Sequence, residues 1–346
     1  MDLQLDQTNK KLLNLLQSHF PLVEQPFQEL ANLLEIQEQE VMERIEQLKK
    51  DKVIRQISAI FDTKSLGYQS SLVAAKVKPD HLEKAAEIIN QHPGVSHNYE
   101  RAHEFNLWFT IAIPPNSNIG LEQSVELLGE LAGVDSIRLL PTLKLFKIGV
   151  KLDLESDGGT SMSDEPVYNH QSAPQNYQLS DLEIQLVREL QENLHVTTRP
   201  FDAIADRLGI SVADIVGHLQ NFKATGLMRR FAAVLHHRTA GFQVNTMGVW
   251  AAPEDRIDEV GETLAKFSSV SHCYRRPSYP DWPFNVFTMI HGRDKEDCEN
   301  ILTEMAAQVH IDKRDALYSV REFKKIRVKY FTPEIEAWEE VHRRVK

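Results

Sequence analysis

Val95-Ser96-His97-Asn98-Tyr99-Glu100-Arg101 returns later in the chain as Val270-Ser271-His272-Cys273-Tyr274-Arg275-Arg276. An echo that keeps Val-Ser-His-x-Tyr-x-Arg while the residues between change marks an internal repeat. The match extends outward on both sides. Upstream, Pro26-Phe27 followed by Glu29-Leu30-Ala31 stands against Pro200-Phe201 followed by Ala203-Ile204-Ala205. At that same offset Leu34 meets Leu208, Ile36 meets Ile210, Arg55 meets Arg229 and Gly67 meets Gly241. Downstream, Phe105-Asn106 meets Phe284-Asn285 after a few extra residues, which a hairpin loop can absorb. So many pairs in register identify a tandem duplication.

Each copy opens with helices. Leu12, Leu13, Leu15 and Leu16 lie at helical spacing within Leu5–His19, Pro26–Leu34 makes a second short helix, and Val41, Ile45 and Leu48 make Gln37–Lys50 amphipathic. Val53–Ile60 then suits a wing-type strand. The second copy follows through Asp181–Leu194, Phe201–Leu208, Val212–Phe222 and Leu227–Leu235. Three helices and a wing make a winged helix-turn-helix. The rest of the first copy alternates as strand Ser70–Val77, helix His81–Gln91, strands Val95–His103 and Phe105–Ile113, helix Leu121–Leu131 and strand Ser136–Phe146. That order is βαββαβ, the ferredoxin-like arrangement, and it recurs from Asn245 to Val328.

The expected class is therefore α+β, a tandem duplication of winged helix-turn-helix plus βαββαβ domain. The expected boundaries are 1–62 and 63–152 for the first copy, 179–237 and 238–332 for the second, and 333–346 for a C-terminal tail or helix. Between the copies, 153–178 holds Asp157-Gly158-Gly159-Thr160-Ser161, Pro166 and Pro174 with little apolar periodicity, and reads as an exposed linker. A linker of that length lets the two βαββαβ domains pack as an intramolecular pseudo-dimer, with further association of whole chains left open.

Of the 346 residues 42% are hydrophobic and 26% charged, the balance of a globular protein. No apolar run reaches the roughly 18 residues of a membrane span, and Met1–Lys10 is too polar for a signal core. The reading is cytoplasmic, with no membrane partner. Cys273 and Cys298 have no metal-type spacing and are expected as free thiols. No H-E-x-x-H or Gly-rich phosphate loop is present, and His236-His237 point to opposite faces of a strand, so no metal site is expected. The net charge of −11 argues against a nucleic-acid partner. So does the candidate recognition helix, whose first turns carry Glu38, Glu40 and Glu43; its counterpart offers Asp214, His218 and Asn221 but no Arg or Lys. Specific DNA binding is not expected.

Strand alternation puts His97, Tyr99, Arg101 and His103 on one face, and His272, Tyr274 and Arg276 on the matching face of the second copy. Imidazole, phenol and guanidinium in one row is not core composition. A single strand histidine is ordinarily half-exposed or hydrogen-bonded; retention of the whole set in both copies is what points to a ligand. In the next strand Leu107, Phe109 and Ile111 suit packing on helices, while Asn106, Trp108 and Thr110 face the other way. The loop Pro277–Pro283, stiffened by three prolines and carrying Tyr279 and Trp282, is expected to floor a flat macrocycle beside the row. Arg275 sits at the opposite parity to Arg276, unless the strand ends early at Pro277.

A winged helix followed by βαββαβ resembles the Lrp/AsnC-type feast/famine regulators, above all in Gly226-Leu227-Met228-Arg229-Arg230-Phe231-Ala232-Ala233-Val234-Leu235 through Gly241-Phe242. That implies a fold and no activity. The motifs Ser96-His97-Asn98-Tyr99-Glu100-Arg101 with Asn106-Leu107-Trp108-Phe109-Thr110, and Ser271-His272-Cys273-Tyr274-Arg275-Arg276-Pro277 with Trp282-Pro283 and Phe287-Thr288-Met289, are similar to those of the two subunits of siroheme decarboxylases, here on one chain. The resemblance implies loss of the C12 and C18 acetate carboxylates of siroheme as carbon dioxide, giving 12,18-didecarboxysiroheme for heme or heme d1 synthesis. No separate cofactor is implied, because siroheme iron enters as part of the substrate. His97, Arg101, His103, His272, Arg275 and Arg276 become the catalytic candidates. Tyr99, Asn106, Trp108, Tyr274, Tyr279, Trp282 and Asn285 become the substrate-binding candidates. Arginine forks suit carboxylates, and His or Tyr can protonate the carbon left behind. A histidine ligating the iron is an alternative role. Ser278 stands where a partner for His103 would fall, so the halves are not equivalent. The rival readings are an Lrp/AsnC-type regulator sensing a tetrapyrrole or amino acid, and a tetrapyrrole carrier without turnover.

Overall fold

The computed structural model describes residues 6–148, 178–235 and 244–343. The expected linker up to residue 177, Gly241 and His236-His237 lie outside the described residues. In the first copy α1 (Gln7–Ser18), α2 (Pro26–Leu34) and α3 (Glu38–Lys50) lead into β1 (Ile54–Phe61). Local chemistry sets these limits. The Asp6 carboxylate accepts from the Asn9 N–H at the start of α1, and Pro26 occupies the first turn of α2, where its missing N–H costs nothing. There follow β2 (Gln69–Lys76), α4 (Leu82–Asn90), β3 (Val95–Arg101), β4 (Leu107–Ile113), α5 (Leu121–Leu131), β5 (Ser136–Leu140) and β6 (Lys144–Ile148). The second copy runs α6 (Asp181–Leu190), α7 (Asp202–Leu208), α8 (Val212–Ala224), β7 (Met228–Leu235), β8 (Val244–Trp250), α9 (Ile257–Ala265), β9 (Val270–Arg275), β10 (Val286–Gly292), α10 (Lys295–Val309) and β11 (Arg314–Lys325). Then comes α11 (Pro333–His342).

The two helical domains share one core. β1 and β7 pair antiparallel, with Ile57 opposite Ala233, so each copy covers the other's open strand edge. Leu13, Phe27, Ile45 and Ile57 of the first copy pack in the same cluster as Leu186, Phe201, Phe222 and Phe231 of the second. An ion pair between Arg229 and Asp62, 2.8 Å, fastens the two wings.

The sheets are joined as well. Their strand order is β5-β2-β4-β3-β11-β8-β10-β9-β6, which is two ferredoxin-like sheets linked through their last strands. β11 pairs with β8 over its first half and with β3 of the other copy over its second. The first copy does the same in two pieces: β5 pairs with β2, and β6 crosses to β9. The break falls at Pro141, whose missing N–H interrupts a ladder. β6 carries Phe146 into the helix layer of the second copy, where a Cβ on Gly261 of α9 would lie 2.2 Å from its ring. Only glycine accepts that approach.

Each sheet has a helix-covered face and an inner face. Leu107, Phe109 and Ile111 pack under α4 and α5, as their alternation predicts. Ala74, Trp108 and Leu140 face inward against Met247, Val249, Phe287 and Leu317. The βαββαβ units thus form a pseudo-dimer across an apolar seam. The chain end closes on the first copy: Trp338 of α11 joins its helix layer and meets the His92 ring at 4.3 Å, and Glu339 accepts from the Asn118 N–H.

Candidate active site

A cavity of about 650 Å³ opens between the two sheets. Its wall includes His97, Tyr99 and Arg101 of β3, and His272, Tyr274 and Arg276 at and just past the end of β9. Trp108, Thr110, Met247, Phe287 and Met289 line it between the rows, and the crossing half of β11 adds Arg321, Glu322 and Lys325. Both copies therefore contribute to one site.

A bulge aims each row. In β3 the register shifts between Val95 and His97, and in β9 it shifts opposite Met289/Ile290, between Val270 and His272. Val95 and Val270 lie in the helix-facing cores, yet the histidines two residues on face the cavity. The extra residue at Ser96 and Ser271 turns the parity over, as bulges beside functional sites do. It also lets each serine reach its neighbour. Ser96 Oγ lies 3.0 Å from His97 Nδ1, and Ser271 Oγ lies 2.8 Å from His272 Nδ1. In both rows the imidazole stacks with the tyrosine, His97 on Tyr99 at 6.2 Å and His272 on Tyr274 at 6.1 Å.

The arginines reach across the pseudo-dimer. Arg101 Nη1 donates to the Leu317 carbonyl of the second copy, 2.6 Å, and Arg276 Nη1 donates to the Leu140 carbonyl of the first. Arg276 also lies over the Tyr274 ring at 4.9 Å, and Arg101 over Tyr99 at 5.9 Å. Both guanidiniums are buried, and among the described residues both Nε atoms lack a partner and neither group is paired with a carboxylate. Burial pushes both down to about 10, so both stay charged at neutral pH. A buried cation without a counter-charge is costly, and a ligand carboxylate would relieve it.

Burial also holds the His272 imidazole down at about 4, with His291 adding to the effect, and lowers His97 with help from Lys325. Burial pushes the Tyr99 phenol up to about 12, reinforced by Glu322. Near neutrality His272 is a neutral imidazole and Tyr99 an intact phenol. Each is a proton donor that adds no fixed charge to the site.

Six expected site residues lie elsewhere than on the cavity wall. β3 ends at Arg101, so the alternation carries no further, and His103 turns away: its Nδ1 accepts from the Phe105 N–H, and its ring packs on Trp282 at 5.4 Å. Arg275 points outward to Glu254, 2.7 Å. Asn106 and Asn285 are matched structural pins, each bonding both backbone groups of one residue on the neighbouring strand segment, Val77 and Ala252. Tyr279 donates to the Leu139 carbonyl. Trp282 does not border the cavity; it is fully buried in the seam against Trp108, Phe105 and Phe284. The proline loop plugs the pseudo-dimer, because an indole on a short stiff loop gains more from the apolar seam than from a half-wet rim. Trp282→Ala should accordingly destabilise the fold by about 3–5 kcal/mol. Denaturant melts check this; unchanged stability with lost ligand binding would return the loop to the site.

The residues missed from the sequence fall into two groups. Ser96, Ser271 and His291 lie behind the rows, and a bulge leaves no mark in composition. Arg321, Glu322 and Lys325 belong to the second copy but face the first copy's row, which no local pattern announces. Cys273 and Cys298 are free buried thiols, and among the described residues no His, Cys, Asp and Glu side chains gather as a metal centre.

Two buried neutral imidazoles predict an acid-sensitive fold. His272 is held at about 4 and His92, under α11, at about 3, both chiefly by burial. Their ordinary value is 6.5. Below it the unfolded chain takes protons that the folded chain refuses, so stability falls as pH drops. The slope is about 1.4 kcal/mol per pH unit for each group until its folded value is reached. Thermal melts from pH 7 to 5 should show it, and His92→Gln should flatten the response. A parent melting temperature independent of pH over that range would count against it.

The family model for an AsnC-like ligand binding domain matches residues 65–147 and 239–324. The one for a siroheme decarboxylase NirDL-like HTH domain matches residues 9–55 and 183–229. The siroheme decarboxylase of Hydrogenobacter thermophilus is 41% identical over 95% of this chain and 96% of its own. The alpha subunit of the Desulfovibrio desulfuricans enzyme is 37% identical, but it spans only 44% of this chain, which fits a fused pair of subunit-like halves. Among solved structures, the siroheme decarboxylase NirDL superposes with a TM-score of 0.78 at 35% identity, covering 97% of this chain and 98% of that one. A structure of siroheme decarboxylase NirDL in complex with an iron-uroporphyrin III analogue superposes equally well, with a TM-score of 0.78 at 34% identity over 97% of this chain and 98% of that one. By family model, sequence identity along almost its whole length and shared fold, the chain belongs to the siroheme decarboxylases, a family of lyases, and carries the Lrp/AsnC-like frame twice on one chain.

Proposed function

We propose that the cavity between the copies takes siroheme and removes its C12 and C18 acetate carboxylates as carbon dioxide, giving 12,18-didecarboxysiroheme on a route to heme or heme d1. One observation carries this reading: two buried guanidiniums that have no carboxylate partner among the described residues, one from each copy, on the wall of one cavity. A flat tetrapyrrole ringed with carboxylates supplies the missing counter-charges, and Trp108, Met247, Phe287 and Met289 give its ring an apolar bed. The iron-uroporphyrin analogue bound by the NirDL relative is a ligand of that chemistry.

Loss of carbon dioxide from an acetate arm breaks the bond between the carboxyl carbon and the methylene. Its electron pair passes into the conjugated ring, and a proton must then reach the methylene carbon to leave a methyl group. Arg101 and Arg276 hold carboxylates in place, which fixes the breaking bond relative to the ring. His272 and His97, both on the cavity wall, serve as the proton donors in this reading. The ring is the electron sink, so the reading needs no separate cofactor. The acidic start of α3, with Glu38 and Glu40, supports the enzyme reading over a DNA-binding regulator.

Anaerobic incubation of the protein with siroheme, followed by mass analysis, tests the proposal. The expected product lacks two carboxylates. Siroheme that binds and is recovered unchanged would make the protein a carrier.

A further inference from the structure

We propose that Ser271 and His291 form a proton relay that feeds His272 from solvent, a device the first copy lacks. The inference rests on the reading that His272 protonates the substrate, and adds residues outside the cavity wall. Ser271 Oγ lies 2.8 Å from His272 Nδ1 and 2.6 Å from His291 Nε2, so one hydroxyl bridges two imidazoles. His272 belongs to the cavity; His291, near the end of β10, is half-exposed. The bridge runs from the site to the surface.

The first copy has the same start and a different end. Ser96 Oγ contacts His97 Nδ1 at 3.0 Å, but its other neighbour is Thr110 Oγ1 at 2.8 Å, a hydroxyl that does not titrate near neutrality. The position matching His291 is Ala112: the Ala112 N–H donates to the Gly94 carbonyl as the His291 N–H donates to the Ser269 carbonyl, each 3.0 Å. An imidazole in one half stands where the other has a methyl group.

The stoichiometry gives the relay its purpose. Each carbon dioxide released leaves a carbon that takes up one proton, so two acetates consume two. A buried imidazole that gives its proton once must be resupplied. In the balanced step, His272 passes its Nε2 proton to the substrate carbon while its Nδ1 takes the Ser271 hydroxyl proton. Ser271 takes the Nε2 proton of an imidazolium at His291. His272 ends neutral with its proton on Nδ1, Ser271 ends unchanged, and His291 ends neutral. Once product has left, water in the open cavity protonates His272 Nε2 while Nδ1 returns its proton through Ser271 to His291, which restores the starting tautomer. The other charged groups on the cavity wall are Arg101, Arg276, Arg321, Glu322 and Lys325; none is hydrogen-bonded to Ser271.

Two measurements test the relay. In ligand-free protein labelled at histidine nitrogens, Ser271→Ala should change the titration and tautomer signals of both His272 and His291 and leave those of His97 in place. Signals of His291 that ignore the substitution would overturn the proposal. With siroheme, His291→Ala and His291→Gln should slow multiple turnover by about tenfold or more while binding stays within about twofold of the parent. Added imidazole should restore rate to His291→Ala, which a purely structural role would not allow. Parent-like turnover in both variants would overturn the relay. A parent that leaves siroheme unchanged would instead overturn the function above, and the nitrogen signals would still decide whether the bridge exists.

Discussion

Replacing Arg276 by methionine should cut siroheme affinity by about 30- to 5000-fold while leaving the ligand-free fold nearly as stable as the parent. The two halves of this expectation have one cause. Arg276 is buried, its Nε has no partner among the described residues, and its Nη1 donates to the Leu140 carbonyl. Without ligand, the charge costs desolvation that nothing nearby offsets in full. Removing it relieves that cost and loses one hydrogen bond and the contacts with the Tyr274 and Phe287 rings, terms of about 1 kcal/mol each. With ligand, the same buried guanidinium is expected to pair with a substrate carboxylate, and truncating one partner of a buried charge pair costs about 2–5 kcal/mol. Arg101→Met should behave alike, since its surroundings repeat across the pseudo-dimer. Siroheme titrations with thermal melts of both variants check the pair of outcomes. A variant that melts well below the parent but binds normally would make the arginines struts of the interface.

His272→Ala should lower decarboxylation by about 10²- to 10⁴-fold with siroheme binding little changed, the range for losing a general acid. The imidazole is neutral near pH 7, lines the cavity, and is held by Ser271 at its other nitrogen, so a donor's orientation is set before substrate arrives. His97→Ala should be the milder change, because its serine leads only to Thr110. Single-turnover assays with binding titrations separate the roles. If both variants bind and decarboxylate like the parent, the His-x-Tyr-x-Arg rows are structural.

Much of this was legible in the chain because repetition is a global signal that survives local noise. The echo around His97 and His272 revealed two copies, apolar periodicity separated helices from strands, and alternation put Leu107, Phe109 and Ile111 under the helices. Alternation also grouped His97, Tyr99 and Arg101, and it failed at His103 because β3 ends two residues earlier. The aromatic loop misled for a different reason. Tyr279 and Trp282 have the composition of a ligand platform, yet the same large apolar surface suits an interface, and burial in the seam prevailed.

By itself, then, the sequence determined the duplication, the element order of each half and the chemical character of the two rows, since these depend on residues near one another along the chain. Tertiary structure alone decided that both rows meet in one cavity. That follows from the crossing of β11 and β6 between the copies, a pairing between distant segments that no local propensity encodes. It alone decided that Arg101 and Arg276 lie buried with no carboxylate partner among the described residues, because burial and charge pairing belong to the packed molecule. And it alone decided, through one bulged residue in each strand, that a serine adjacent in sequence stands behind its histidine rather than on the opposite face of the sheet.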